Sequence, residues 1–545
     1  MLVNVDILER IFSFFDPAFF DDTWDIDRKT RKYLLSAALT YKPFFEPAMN
    51  LLWKTMESII PFLKILPEFV KAEDIYVSLF LFLEHKNLIM AIIQTIREEI
   101  LPHHRDRFNM YGRKVRYLYL KSFQELVRGH AIALLQSISD SNQNLFPGLK
   151  MIYIPAFEVT GYPRNLECLN ILFLALSSSL VTVSLGGINT SSDEFAASFL
   201  SILSQRASSL QELILGGRLS PNSLKLVSKF SKLEVLSISG QNSVLQTSFL
   251  ERCSVLENLT HLSVNLDASS TFSISDLTPY LSGFAALQAL QLGGSPVELS
   301  KVLQSIAPPS LESITITCSS SSRHQPPESE SVALCIQECG RISPTYRIQL
   351  RFGGAGRNPT IVSDRSLSSL QSCKSLQILD ISGITLHITD DIIRDLCDGG
   401  AWRSLRYLHL PPSESEHSPS LSSLKILARN CPDLQSLVIS INFQNMPLLD
   451  FSVLPNERAS RIPHSLKRLL ILKVPDARIG ETNTITVAIS VSLFIEYHFP
   501  NLEKAKLSSD FSVDIDWWKS VEMMMKAYKM VREETISEMQ TLTHV

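Results

Sequence analysis

The sequence predicts an α/β fold in which short parallel strands alternate with helices along a solenoid, after a short all-helical segment at the N-terminus. Three observations predict it. A six-residue phrase, L-x-x-L-x-L, recurs along most of the chain; apolar residues at helical spacing follow many of its copies; and three short apolar stripes precede the first copy. Repeats of this kind pack on their neighbours, so one continuous core can serve a chain of 545 residues.

The repeated phrase predicts the strands. Its last two apolar residues stand two positions apart, which suits a strand with one buried face. Successive copies start about 30 residues apart, close to the length of one strand-and-helix repeat. The clear copies are Leu180–Leu185, Leu210–Leu215, Leu233–Ile238, Leu259–Val264, Leu287–Leu292, Leu311–Ile316, Leu376–Ile381, Leu405–Leu410, Leu434–Ile439, Leu466–Ile471 and Leu502–Leu507, and weaker copies start at Val115, Leu149 and Thr345.

Helical spacing follows the strands. Phe195, Phe199 and Leu203 stand at i, i+4 and i+8, and the segment after Ser220-Pro221 shows the same kind of period. We therefore expect each repeat to run strand, turn, helix and return, with parallel strands on the concave side and helices on the convex side.

Capping residues mark the ends of several predicted helices. Ser220 and Ser418 each precede a proline, and Thr389 precedes two aspartates, all of which are typical of helix N-termini. Gly399-Gly400 predicts a helix end.

The phrase resembles that of leucine-rich-repeat proteins with helical convex sides. Two returns, Cys373-Lys-Ser-Leu376 and Cys431-Pro-Asp-Leu434, resemble the cysteine-containing subtype that is common in F-box leucine-rich-repeat proteins. The Asn or Cys that usually follows the phrase is missing, and we expect irregular turns there.

The first 53 residues carry three apolar stripes at helical spacing. The first holds Ile7, Leu8, Ile11 and Phe12, and Asp16-Pro17 ends it. The other two are Leu34, Leu35, Ala38 and Leu39, and then Ala48, Leu51, Leu52 and Trp53. About 45 residues lie near the lower limit for independent folding, so we expect a partner to cover the excess apolar surface.

This segment resembles an F-box, most closely that of fungal (basidiomycete-type) proteins that continue into leucine-rich repeats. The matching stretches are ILERIFSFFDP, LLSAALTYKPFFEPAMNLLW and IIPFLKILPEF. Two features depart from the family: Leu2-Val3-Asn4 replaces the usual Leu-Pro opening, and Tyr41 replaces a Cys.

The resemblance implies a substrate-recognition subunit of an SCF (cullin-type) ubiquitin ligase, in which the F-box binds a Skp-type adaptor and the repeats bind a target protein. The alternative is an interaction scaffold outside any ligase, with a degenerate F-box. By position, the residues that the resemblance assigns to the adaptor are Val5, Ile7, Leu8, Ile11, Phe12, Leu34, Leu35, Leu39 and Phe44.

Composition argues against several other classes. The net charge is -4 with no long Lys/Arg block, which disfavours nucleic-acid binding, and no apolar stretch reaches the ~20 residues that span a bilayer. The eight cysteines show no CxxC pair and no zinc-finger spacing, so we expect buried, reduced thiols and no metal. No secretory signal precedes the first stripe, and we expect a cytoplasmic or nuclear protein.

No catalytic motif stands out. The chain has no G-x-S-x-G elbow, no H-E-x-x-H and no Walker loop, and Gly353-Gly354-Ala355-Gly356 lacks the Lys that a phosphate loop requires. We expect a chain that is not an enzyme and that needs no cofactor.

The variable positions of the last strands suggest where a target binds. Arg406, Tyr407 and His409 and then Lys467, Arg468 and Lys504 lean basic. One hypothesis is that an acidic segment of the target docks there, and the alternative is an ordinary solvated charged face.

These patterns divide the chain into an F-box over residues 1–55, a helical linker region over 56–112, a repeat solenoid over 113–510 and a capping helix over 511–545. The stretch 78–101 fits the F-box pattern badly. The alternatives for it are a family-specific insertion, an artefact of the gene model, an amphipathic docking helix and plain core, of which plain core is favoured. Cys318–Ser331 and Pro411–Pro419 are predicted loops, and the charged stretch from Trp517 to Gln540 is predicted to close the end of the solenoid.

Overall fold

The structure is a computed structural model of the chain, which forms two compact units, Met1–Leu259 and Thr260–Val545. It describes residues 5–15, 28–71, 92–96, 100–120, 125–127, 135, 144–155, 171–240, 244–266, 271–273, 283–318, 329–342, 345–353, 360–413, 418–443, 464–472, 484–508 and 512–543.

A parallel sheet runs through each unit. In the first unit its strands are β1 (Thr55–Met56), β2 (Tyr117–Tyr119), β3 (Met151–Ile154), β4 (Thr182–Ile188), β5 (Glu212–Gly217) and β6 (Val235–Gly240). In the second unit they are β7 (His261–Leu266), β8 (Ala289–Gly294), β9 (Ser313–Cys318), β10 (Arg347–Phe352), β11 (Ile378–Ser382), β12 (Tyr407–His409), β13 (Ser436–Ser440), β14 (Arg468–Leu472) and β15 (Lys504–Ser508).

The repeated phrase forms these strands, as predicted. Its alternate apolar residues point into the core: Leu213 and Leu215 of β5 have no exposed surface and pair in register with Leu236 and Ile238 of β6. The residues between them form the opposite face of the sheet, which we call the open face. Stacked leucine rows therefore supply a core that continues from repeat to repeat within each unit, and the predicted α/β leucine-rich-repeat fold is confirmed.

Helices return the chain from one strand to the next. The helices of the first unit are α1 (Val5–Ser13), α2 (Arg28–Thr40), α3 (Lys42–Lys54), α4 (Ile60–Leu63), α5 (Pro102–Gly112), α6 (Ile171–Ala175), α7 (Asp193–Arg206), α8 (Pro221–Lys225) and α9 (Thr247–Ser254). Those of the second are α10 (Pro296–Ser305), α11 (Ser329–Arg341), α12 (Asp390–Cys397), α13 (Leu421–Asn430), α14 (Thr484–His498) and α15 (Ser512–Thr543). Short 3-10 helices cover Leu226–Lys229, Asp364–Ser372 and Asp398–Gly400.

The predicted caps are confirmed at two of three places. The Ser220 hydroxyl accepts a hydrogen bond from Ser223 N at 3.3 Å, and Thr389 Oγ1 accepts one from Ile392 N at 3.5 Å. The prediction of a cap at Ser418 is wrong by two residues, because α13 begins at Leu421 and Ser420 accepts from Ser422 N at 3.0 Å.

Glycine ends α12 and shapes one of the turns after a strand. Gly399 and Gly400 have φ of 71° and 73°, so the predicted helix end is confirmed. Gly383, with φ 82°, follows β11, and a Cβ built there would lie 1.8 Å from the carbonyl oxygen of Phe352. Only glycine fits this turn without strain.

The expectation that residues 56–112 are helical is wrong in part. Phe69–Lys71 and Ile92–Ile96 are antiparallel strands, and Glu125–Val127 pairs with the second of them in parallel. The described part of the stretch 78–101 thus contains a strand, and residues 78–91 lie outside the described residues. The parallel sheet also begins before residue 113, because Thr55 and Met56 pair with Tyr117 and Leu118.

The cysteines that the structure describes are free and buried, which confirms the prediction of reduced structural thiols for these seven residues. Burial raises the pKa of the Cys253 thiol well above its usual range, and this thiol therefore stays protonated at neutral pH. Among the helices of the described ranges, none has the length and apolar character needed to cross a membrane.

Candidate protein-interaction surfaces

The first candidate surface lies on the N-terminal helices α1 and α2. Of the seventeen large hydrophobic side chains that are exposed among the described residues, eight fall within the first 41 residues of the chain. We call these eight the N-terminal apolar patch: Ile7, Ile11, Phe14, Phe15, Tyr33, Leu35, Leu39 and Tyr41. Such a concentration of apolar side chains in water is typical of a surface that a partner covers.

Sequence spacing explains which side chains of α1 face outward. Ile7 and Ile11 stand at i and i+4, so they lie on one side of the helix, and Phe14, in the turn that follows it, continues the same spacing. Leu8 and Phe12, one position further on, lie on the inner side with 6% of their surface exposed. The helix therefore has apolar residues on two sides, and only the inner one is used within the chain.

An aromatic chain joins the exposed ends of α1 and α2. The ring of Phe12 lies 6.3 Å from that of Phe15 and 5.7 Å from that of Phe44, which in turn meets the ring of Tyr41 edge-on at 5.2 Å. Phe15 and Tyr41 are exposed, whereas Phe12 is buried and Phe44 is half-buried. Ring contacts thus connect two exposed members of the patch through the interior of the N-terminal helices.

The structure divides the residues that the family resemblance assigned to the adaptor. Ile7, Ile11, Leu35 and Leu39 lie in the patch, and Leu39 is 77% exposed. Phe44 is half-buried between Phe12 and Tyr41, and Val5 is the first residue of α1.

Three of the assigned residues lie inside the fold and not in the patch. Leu8, Phe12 and Leu34 have 6%, 6% and 2% of their surface exposed, and the ring of Phe12 lies 5.7 Å from that of Phe44. In this conformation they offer no surface to a partner. Sequence reasoning did not assign Phe14, Phe15, Tyr33 and Tyr41, although the helical period from Ile7 and Ile11 leads directly to Phe14.

The second candidate surface is the open face of strands β10 to β15 in the second unit. Parallel register places Arg347, Ile378, Tyr407, Ser436, Arg468 and Lys504 in one row across the strands. The next row holds Gln349, Asp380, His409, Val438, Leu470 and Lys506. Sequence reasoning found the members on the last strands and missed Arg347 and its strand neighbour Arg351, since the repeat copy on β10 is a weak one.

Two residues of the predicted target-binding set already have partners. His409 Nδ1 lies 2.7 Å from Asp380 Oδ1, and Lys467 Nζ lies 3.5 Å from Glu503 Oε1. Burial, with a further contribution from the Asp380 charge, raises the pKa of the neighbouring Tyr407. The Tyr407 hydroxyl is therefore neutral at neutral pH. Arg406, Arg468 and Lys504 are exposed.

Two shallow hollows show no catalytic arrangement. One, of about 720 Å³, lies beside α7 and α8 and contains Lys225, Lys229 and Arg252. The other, of about 580 Å³, lies at the start of β14 and β15 and mixes Lys467, Lys529 and Arg532 with Glu503 and Glu533. Within the described ranges no cluster of three or more His, Cys, Asp or Glu residues is arranged to hold a metal ion.

Comparisons with known proteins give solved structures of low similarity. The chain matches no protein-family profile and no curated protein sequence. Among solved structures, an internalin (inlF) from Listeria monocytogenes overlaps 79% of this chain and 85% of its own length, with 14% identity and a TM-score of 0.31. The Rad7 and Elc1 complex in yeast overlaps 65% of this chain and 80% of its own, with 14% identity and a TM-score of 0.26. The plant peptide hormone receptor RGFR1, solved with RGF2, overlaps 71% and 59%, with 14% identity and a TM-score of 0.26. At these scores the likeness decides nothing about the activity of this chain.

Proposed function

We propose that the chain is the substrate-recognition subunit of an SCF-type ubiquitin ligase. In this proposal α1 to α3 form an F-box that binds a Skp-type adaptor and through it the cullin core, while the open face of the repeats binds a target protein. The chain itself carries out no chemistry and requires no cofactor, and it acts in the cytoplasm or the nucleus. The N-terminal apolar patch is the observation that carries the proposal.

The energetics of the patch support a binding role. Burying one Leu, Ile or Phe side chain contributes about 1.5 to 3 kcal/mol, so several together are enough for a stable interface. Leu39, Ile7 and Ile11 are each at least half exposed, so at least half of the apolar surface of each gains nothing from the fold. A partner helix or groove that covers them would recover that free energy.

The helices that carry the patch are fixed to the first repeat. Lys114 Nζ donates to Asn50 Oδ1 at 2.6 Å and also bonds Glu46, and the ring of Trp53 lies 5.1 Å from that of Tyr111. Arg31 of α2 pairs with Glu57 at 2.9 Å. An adaptor bound to the patch would therefore be held in a defined position relative to the first strands of the repeats, as a ligase receptor requires.

The second candidate function is a leucine-rich-repeat scaffold that has lost its adaptor. The sequence Leu2-Val3-Asn4, in place of the Leu-Pro that opens the family's F-boxes, favours it. Adaptor binding separates the two candidates, because a scaffold keeps the repeats and their target but not the adaptor.

Co-purification with a Skp-type adaptor tests the proposal. The intact chain is expected to retain the adaptor, and Ile7→Asp/Leu39→Asp is expected to lose it, because both substitutions place a carboxylate in the apolar interface without disturbing the core. The matched control is Val255→Asp/Val297→Asp, which makes the same change at two exposed valines outside the patch.

Loss of the adaptor by the patch variant but not by the control supports the proposal. Absence of the adaptor from the folded, intact chain contradicts it and favours the scaffold. Leu8→Asp is unsuited to this test, since Leu8 is buried and its substitution would disrupt the helices themselves.

A further inference from the structure

Positive charge is concentrated on one part of the open face. Between β10 and β15 the strand positions on this face carry five cations, Arg347, Arg351, Arg468, Lys504 and Lys506. The single carboxylate among them, Asp380, is held by His409 at 2.7 Å. On the open face of β1 to β6 the charged residue is Glu212, whose carboxylate accepts from Thr182 Oγ1 at 3.0 Å. The net charge of the whole chain is -4, so the positive charge of this face is opposite in sign to that of the chain.

Strand register gives the cations a spacing. Neighbouring parallel strands lie about 4.8 Å apart, so Arg347 and Lys504, five strand steps from one another, are separated by about 24 Å. Ile378 and Tyr407 occupy the two steps next to Arg347, and Arg468 adjoins Lys504 at the far end. The row is thus cationic at both ends and apolar near its middle. An extended peptide of roughly seven residues spans it, at about 3.3 Å per residue.

The cations are available to a ligand. Within the part of the chain that the structure describes, none of the five forms an ion pair, whereas the nearby Lys467 does so with Glu503. Four of the five, Arg351, Arg468, Lys504 and Lys506, are exposed, and Arg347 is half-buried.

We infer that the open face of β10 to β15 binds an extended acidic segment of a protein, with carboxylates toward Arg347 and Arg351 at one end and toward Arg468, Lys504 and Lys506 at the other, and an apolar side chain over Ile378 and Tyr407. This inference rests on the proposed function only in naming the class of target that the receptor takes.

A peptide fits this surface better than a nucleic acid. Proteins bind a nucleic-acid backbone through a continuous track of closely spaced cations. Such proteins usually also carry a positive net charge, which attracts the phosphates. Here apolar residues, Ile378, Val438 and Leu470, separate the cations, and the chain is acidic overall. A peptide with carboxylates on both sides of an apolar residue matches this alternation of cationic and apolar side chains.

Fluorescence anisotropy with a labelled peptide tests the inference. The probe is a short peptide of Asp and Glu around one Leu, and its reference is the same peptide with Gln at every acidic position. The full chain is expected to bind the acidic peptide and not the reference. Binding is expected to weaken at least about tenfold when salt rises from about 50 mM to about 500 mM, because screening shortens the reach of exposed charges.

Matched charge reversals locate the site. Arg347→Glu/Arg351→Glu is expected to weaken peptide binding at least about tenfold, and Lys504→Glu/Lys506→Glu, at fully accessible positions, is expected to do the same without any risk to the core. The control, Lys225→Glu/Lys229→Glu on the helical side of the first unit, makes an identical change in net charge and is expected to leave binding unchanged.

Three results would overturn the inference: equal binding of the acidic and Gln peptides, unchanged binding by Lys504→Glu/Lys506→Glu, or displacement of the peptide by a single-stranded oligonucleotide at lower concentration than by unlabelled peptide. The last would assign the face to nucleic acid. The peptide assay contains no adaptor. A negative result in it therefore does not affect the proposal that the patch binds the adaptor, and a failure to bind the adaptor does not affect the peptide result.

Discussion

At the scale of single residues, two aspartates connect successive helices. Asp193 begins α7 and accepts hydrogen bonds from Ser220 N at 3.0 Å and from Ser223 Oγ at 2.7 Å, at the start of the next helix. Asp390 begins α12 and accepts from Ser420 N at 2.9 Å and from Ser420 Oγ at 2.5 Å. Each carboxylate therefore satisfies free donors at the N-terminus of a helix in the following repeat.

Asp390→Ala is expected to lower the free energy of unfolding by about 3 kcal/mol, because the Ser420 N–H, the Ser420 hydroxyl and the buried Ser423 hydroxyl lose a charged acceptor. The control is Asp391→Ala at the next position, where an exposed carboxylate pairs only with Arg394 on the same helix and contributes less than about 0.5 kcal/mol. Urea unfolding of both variants measures the difference. Equal effects would mean that the helix-to-helix hydrogen bonds contribute little.

His464 connects the segments that precede β13, β14 and β15, through its buried ring and its backbone carbonyl. Leu466 N donates to its Nδ1 at 3.1 Å, so the neutral ring carries its proton on Nε2, which donates to Cys431 O at 2.9 Å. Asn501 Nδ2 donates to the His464 carbonyl at 3.2 Å. Burial lowers the pKa of His464 below its usual value of 6.5, although the hydrogen bond to Cys431 acts in the opposite direction.

This lowered pKa makes stability depend on pH in a defined direction. Below about pH 6.5 the unfolded chain binds a proton at His464 that the folded chain does not, so the stabilisation present above that pH is lost as the pH falls. The loss is expected to reach up to about 1.4 kcal/mol per pH unit at this site. Thermal unfolding at pH 7.5 and pH 5.5 should show a smaller difference for His464→Gln than for the unchanged protein, while His261→Gln, at an exposed ring, serves as the control.

At the scale of elements, the terminal helix α15 covers the last helix and strand of the second unit. It packs on α14 and β15, and it buries Trp517, Trp518, Val521 and Met525. The ring of Phe443 lies 5.3 Å from that of Trp517, and Arg532 bonds Glu496 of α14. Solenoids need such a cover because a terminal repeat lacks a neighbour on one side.

Trp518→Ala is expected to destabilise the second unit by about 3 to 5 kcal/mol, since it leaves a large cavity beneath the helix. Met523→Ala, at a side chain that is 66% exposed on the same helix, is expected to change stability by no more than about 0.5 kcal/mol. Differential scanning calorimetry of both variants distinguishes a covering helix from an appended one. Similar transitions for the two would indicate that α15 contributes little to the second unit.

The strands were predictable and the helix faces only partly so. L-x-x-L-x-L fixes which residues of a strand are buried, because the strand period of two leaves only one alternative. For a helix with apolar residues on two sides, such as α1, the sequence does not predict which side is buried, because Ile7 and Leu8 are equally apolar. Packing of α1 on α3, including the contact between Phe12 and Phe44, turns Leu8 and Phe12 inward. This is why the adaptor residues inferred from resemblance included buried ones.

The cationic face was predicted in its last strands and missed at its first. Arg468 and Lys504 stand within clear copies of the phrase, so their positions could be assigned from the sequence. Arg347 stands in a weak copy that begins at Thr345, and only the pairing of β10 with β11 places it in the same row. Lys467 and His409 looked equally basic in the sequence, but their carboxylate partners come from neighbouring strands, which spacing along the chain does not reveal.

At the scale of the whole molecule, we propose two binding tasks for two separate parts of one chain. The N-terminal apolar patch on α1 and α2 is assigned to an adaptor, and the cationic open face of β10 to β15 is assigned to an acidic target segment. The first surface exposes apolar side chains that no part of the fold covers, and the second carries cations without carboxylate partners. The two tasks can therefore be removed separately, by Ile7→Asp/Leu39→Asp and by Lys504→Glu/Lys506→Glu.

The most direct test of the central claim is calorimetric titration of the purified chain with a purified Skp-type adaptor at several temperatures. We expect a one-to-one complex with a Kd of about 1 μM or tighter and a negative change in heat capacity, the signature of apolar burial, and we expect Ile7→Asp/Leu39→Asp to abolish both. No binding by the folded chain, or binding that this variant leaves intact, would contradict the assignment of the patch to the adaptor.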